Sequence, residues 1–208
     1  MICEKLIGGQ DIRCSTFFRK YYQQVILFNR SDLLEFQKLD TYTDITDVTH
    51  RRHAIRFRLA PGATGYLFAS SDKGESVTAS FTKQVKEGIP QYAHKVTVPL
   101  MGVAEEVKCI LKEIDNSDLI AAVKYLDNTI EIYGFDFGLV SDYGYEPQAN
   151  AGGAVIELNS DSLEDDPPRV YLSGTGGDPL EDWDNLFSNN PALPAGDFND
   201  DFNNDYHI

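Results

Sequence analysis

Two histidines, His50 and His53, stand three residues apart in the run HRRH. On a helix that spacing places both rings on one face, which is half of a metal site. Here it opens the stretch HRRHAIRFRL, whose polarity alternates, and in a strand residues i and i+3 face opposite ways. No cysteine or carboxylate pair accompanies them at ligand spacing, so no metal centre is predicted. The terminal run DFNDDFNND, 197–205, spaces oxygen ligands as a calcium loop does. An EF-hand loop needs glycine at its sixth position and glutamate at its twelfth. Counted from Asp197, those positions hold Phe202 and Ile208, so the run reads as a solvated or docked acidic segment, with Ca2+ binding left open. The loop SGTGG, 173–177, lacks the lysine and following helix of a phosphate cradle and reads as a hinge. Glu105 and Glu106 project to different sides of a helix beside Lys108 and Lys112, which makes them surface charge rather than a general acid–base pair. No G-x-S-x-G and no Cys–His order occurs. The sequence therefore predicts no catalytic residue and no cofactor.

What remains is recognition. Arg52, Arg56 and Arg58 form the one concentrated basic face, and guanidinium forks suit carboxylates at protein interfaces. Tyr143 and Tyr145, in SDYGYEP, could stack on sugars, which supports an alternative reading as a carbohydrate-binding β-sandwich module or virion adhesin component. Charge is unevenly placed: from residue 157 to the end there are thirteen acidic residues against one base, Arg169, within a net charge of −15. Such an ending repels phosphates and does not grip nucleic acid.

The chain has 208 residues, enough for one domain with extensions. It holds no apolar run of membrane-spanning length. The start, MICEKLIGGQDIRCST, has no apolar core of a signal peptide. Three scattered cysteines suit a reducing compartment, so synthesis in cytoplasm is expected.

The elements that must position these groups are mostly strands. Alternation marks strands over 51–59, 77–82 and 94–100, and 66–69 reads as the return arm of a hairpin with 51–59. An aromatic and β-branched run predicts a strand over 17–28. Val107, Ile110, Leu111 and Ile114 recur at i, i+3, i+4 and i+7, which predicts an amphipathic helix over about 103–115. An apolar strand over 119–126, a turn at Asp127–Asn128 and a return strand over 129–135 form a hairpin. Residues 135–153 read as a long polar excursion before a last strand at 154–158. About nine strands with one helix favour a mainly β fold, a sandwich or barrel with a flanking helix. Residues 1–172 form that body, and 173–208 form an extended acidic arm.

The arm carries few apolar anchors, among them Trp183, Phe187, Phe198, Phe202 and Tyr206. Burying them recovers less free energy than fixing thirty-six backbone residues costs. It should order only on a pre-built surface, and the arginine face of a neighbouring copy is a candidate.

The order of these features carries a family resemblance. The stretch 81–139 runs from FTKQVKEGIPQYAHKVTVPL through the G-x-x-E helix start GVAE to the aromatic-glycine run GFDFGL. NAGGAVIELNS at 150–160 and DDPPRVY at 165–171 follow. Residues 81–171 thus resemble structural tail proteins of bacteriophages that infect gut bacteria. The resemblance implies a tail-tube-type β-sandwich in a virion tail or neck ring, six-fold or twelve-fold. Its partners would be copies of itself, other tail or neck proteins and DNA passing through the lumen without sequence-specific binding, with no membrane. The long acidic arm departs from a minimal tube protein and favours a neck or tail ring with distinct neighbours.

Overall fold

A computed structural model describes residues 24–41, 52–69, 77–100, 104–115, 117–125, 128–144, 154–173 and 178–188. The chain is mainly β. In order, its elements are β1 (Gln24–Asn29), β2 (Leu33–Thr41), β3 (Arg52–Leu59), β4 (Tyr66–Ala69), β5 (Thr78–Lys86), β6 (Ile89–Leu100), α1 (Ala104–Ile114), β7 (Leu119–Lys124), β8 (Ile130–Tyr133), β9 (Leu139–Gly144), β10 (Ala154–Ser160), β11 (Arg169–Tyr171) and α2 (Pro179–Ser188).

The eleven strands form one mixed sheet, ordered β2-β3-β11-β8-β7-β9-β10-β6-β5. β1 joins at β7 and carries β4 on its other edge. Only β3 and β11 run parallel. β7 and β9 meet at a single pair, Leu119 with Leu139. The sheet does not close, so the predicted barrel is not formed. Among the described strands, β2, β4 and β5 each pair along one edge only.

The runs VILF in β1 and LIAAV in β7 contain no polar residue because both strands are buried on both faces. Val25, Leu27, Leu119, Ala121 and Val123 point into one core, closed by Val96, Val98, Ile156 and Leu158 and by Leu111 and Ile114 of α1. Their alternates Ile26, Phe28, Ile120 and Ala122 enter a second core with Ile55, Phe57, Phe135 and Tyr171. The predicted helix is α1, and its apolar spacing is what seats it on the first core.

Three expectations are corrected. The hairpin of 51–59 with 66–69 does not form. β3 spends both its edges on β2 and β11, so β4 pairs with β1 instead. The polar excursion contains β9, which pairs with β10 through six residues. The arm is not extended throughout, since residues 179–188 form α2. Its local chemistry is that of a helix start: the Leu180 N–H donates to Asp178 Oδ1 at 3.0 Å, Pro179 takes the first helical position, and Glu181 and Asp182 fill the first turn. Trp183 drops from α2 into the second core, 3 % exposed. The Tyr171 hydroxyl donates to Asp182 Oδ2 at 2.9 Å, and Lys124 Nζ lies 4.8 Å from the centre of the indole.

Candidate functional site

The most exposed apolar surface in the described chain lies on the β5–β6 hairpin. Glu87 and Gly88 turn it, with φ of 54° and 82°, the paired positive values of a tight type I′ turn. β10 pairs with β6 only from Lys95 to Leu100, so the outer part of the hairpin stands off the sheet as a two-stranded ribbon. Val85 is 67 % exposed and Ile89 63 %, and Phe81 is exposed as well. Phe81 and Val85 share a face with Tyr92 and Pro90, and Phe81 meets Tyr92 at 6.1 Å between ring centres. Isolated hairpins are marginal in water, so such a ribbon needs an anchor.

That anchor is a polar cluster at its base. Tyr92 and Glu164 exchange two backbone hydrogen bonds, Tyr92 N–H to Glu164 O at 2.8 Å and the reverse at 2.7 Å. The Glu164 side chain, in a residue 1 % exposed, accepts N–H bonds from Asp136 at 2.7 Å and Phe137 at 3.2 Å. Two residues along β6 from Tyr92, His94 is also buried. Gly134 N–H donates to its Nδ1 at 3.1 Å, so the neutral ring carries its proton on Nε2 and gives it to the Asp166 carbonyl at 3.0 Å. Gly138 closes the 134–138 turn at φ +84°, where an added Cβ would lie 1.5 Å from Asp118 Oδ1. The Asp166 carboxylate takes Arg169 Nη2 at 2.7 Å and Lys38 Nζ at 3.2 Å, and Lys38 also reaches Asp136 at 2.5 Å.

Burial pushes the Glu164 carboxyl up to about 7, against the two N–H bonds that favour its charge. Burial also lowers His94 to about 4, against its bond to Asp166 and the nearby carboxylates, which favour the imidazolium. Burial alone would raise Asp166, but Arg169 and Lys38 outweigh it and hold the carboxyl below its ordinary value. Both His94 nitrogens and both Glu164 oxygens are committed to backbone groups, so the cluster works as a clamp between β2, β6, the 134–138 turn and the 161–168 loop. Arg169 is its buried cation and also donates from Nη1 to Ala54 O at 3.3 Å. Arg169→Ala leaves Asp166 with Lys38 alone and takes a donor from the Ala54 carbonyl, and should cost about 3 kcal/mol in denaturant unfolding.

Of the residues singled out by sequence, Arg56 and Arg58 share the exposed face of β3, and Trp183 lies apart from them in the second core. Arg56 and Arg58 are exposed on β3, and Arg58 Nη1 already pairs with Glu35 Oε1 of β2 at 2.9 Å. Arg52 starts β3 and Phe187 lies in α2, but the placement of their side chains is outside the description. Trp183 is a core residue of its own chain. Phe198, Phe202 and Tyr206, with the 197–205 run, His50 and Tyr145, lie outside the described residues. His53 Nε2 sits 3.2 Å from the Pro167 carbonyl. Among the described residues no group of three or more His, Cys, Asp or Glu is placed to hold a metal ion, and no helix is long and apolar enough to cross a membrane. The clamp was missed by sequence reading, although His94 shares the inward parity of Val96 and Val98 and so carried a signal of burial.

A second feature is an apolar groove of about 560 Å³ beside β4 and α1, lined by Leu27, Phe68, Ile110 and Ile114 with Glu113 and Ser117 at its rim. No family model matches the sequence, and neither the curated proteins nor the solved structures give a match.

Proposed function

We propose that this chain is a non-enzymatic virion structural protein that assembles with copies of itself into a closed ring of a bacteriophage tail or neck. The observation that carries the reading is the standing ribbon, whose apolar side chains Phe81, Val85 and Ile89 are exposed. Exposed apolar surface of this kind marks an interaction site. Three strands with an open edge add places where backbone can pair between copies. The finer architecture in this reading is a sandwich of the tail-tube type, with β9, β10, β6 and β5 facing β1 and β7 across the first core. A net charge of −15 suits a conduit that lets DNA slide without holding it. Copies of the chain and other tail or neck proteins are its partners, and its place is the virion after synthesis in the host cytoplasm. Docking of the arm on neighbours then falls to the residues beyond α2, with Phe198, Phe202 and Tyr206 as its apolar anchors.

Native mass spectrometry of the full chain at increasing concentration tests this. The expected result is one discrete closed oligomer, six-fold or twelve-fold. A chain that stays monomeric at every concentration contradicts it.

A further inference from the structure

Among the described residues the ribbon and the groove are both uncovered, and they differ in shape and charge. The groove beside β4 and α1 has the size of a ligand cleft. Its lining includes Tyr66, Leu67 and Phe68 in succession. Successive strand residues face opposite ways, so a groove touched by all three reaches the strand's edge. β4 pairs with β1 alone among the described strands, which leaves backbone groups on that edge for an added strand. The groove's helix and the turn after it are acidic. Residues 104–118 carry Glu105, Glu106, Glu113, Asp115 and Asp118 against Lys108 and Lys112. The outer ribbon has the opposite sign, with Lys83 and Lys86 against Glu87 over residues 81–92.

We propose that this groove receives the β5–β6 hairpin tip, Val85 to Pro90, of a second copy of the chain. The inference rests on the ring-forming reading and gives it a specific joint. The occupant is another copy because the tip matches the groove: exposed apolar side chains for an apolar floor, flanking cations for Glu113, and a strand with one unpaired edge among the described strands. Val85 or Ile89 fills the apolar floor, while Lys83 or Lys86 meets Glu113 of the lining. Donor and acceptor are different surfaces of one molecule, so each copy gives to one neighbour and receives from the next. Such a heterologous contact closes into a ring when its rotation closes.

Two measurements on the full-length chain test the joint. Val85→Asp with Ile89→Asp alters only exposed positions, so circular dichroism and the melting temperature should stay near the parent's while self-association weakens by about tenfold or more. Separately, one chain carrying Glu87→Cys is mixed with one carrying Ser117→Cys, both with Cys3, Cys14 and Cys109 changed to Ser. A disulfide-linked heterodimer is expected from the mixture, and none from either chain alone. If the aspartate variant assembles like the parent and no heterodimer forms, the joint is overturned while the ring reading stands. If the parent chain never self-associates and no heterodimer forms, both fall.

Discussion

Glu164→Gln should make stability rise more steeply with pH than in the parent between pH 4.5 and 6.5. The folded chain raises Glu164 from 4.5 to about 7, so it keeps a proton that the unfolded chain releases. The stabilisation from that neutral acid is complete below pH 4.5 and is lost as pH rises through about 7. His94 behaves in the opposite sense. Its value falls from 6.5 to about 4, so the folded chain excludes a proton that the unfolded chain binds. Stability from the neutral imidazole is complete above pH 6.5 and is lost as pH falls through about 4. Each group is worth about 3 kcal/mol across its window, and in the parent the two slopes cancel where the windows overlap. The glutamine variant leaves His94 alone, so the difference between variant and parent should change by about 3 kcal/mol over this range, with the variant gaining as pH rises. Denaturant unfolding at a series of pH values measures it. Parallel profiles would show that the two groups are not the opposed pair described.

Trp183→Ala should both destabilise the fold and free α2. The indole anchors that helix among Ile130, Ile132, Phe135 and Tyr171 of the second core. Removing a buried aromatic side chain of this size costs about 3–5 kcal/mol. The Tyr171–Asp182 hydrogen bond also ties α2, but a helix this short is not stable by itself. Loss of the indole should therefore release α2 as well as soften the core. Amide exchange read peptide by peptide checks both parts: residues 179–188 should lose protection in the variant, and the denaturation midpoint should fall. Unchanged protection of α2 would mean that it is held by something other than its own chain's core.

The parts of the fold legible in the sequence were those set by local spacing. α1 followed from Val107, Ile110, Leu111 and Ile114, and the β7–β8 hairpin from two apolar runs around Asp127–Asn128, where Asn128 takes φ 62°. What local spacing does not carry is partner choice. The misassigned hairpin of β3 with β4 had good strands and a good turn, but β11, more than a hundred residues away, takes the edge that β4 would have used. β9 was hidden because its pairing with β10 is a backbone matter, and in the run LVSDYG Leu139 is buried while its neighbour Val140 is exposed. The clamp is non-local for the same reason. Glu164 bonds to Asp136 and Phe137, and His94 to Gly134 and Asp166, all across long loops. The outer ribbon escaped detection because apolar side chains that face water, such as Val85 and Ile89, have no burial to report. α2 was masked by its acidity, although Pro179, its acidic first turn and Trp183 three residues after Leu180 formed a helix signature.

If this chain builds a ring, electron microscopy of the purified full-length protein, concentrated until it self-associates, is the direct measurement. The account predicts closed, cyclic particles of uniform copy number with a central channel, in which the β5–β6 ribbon of each copy lies on its neighbour. Isolated single chains at all concentrations, or particles in which every ribbon points free into solvent, would contradict it.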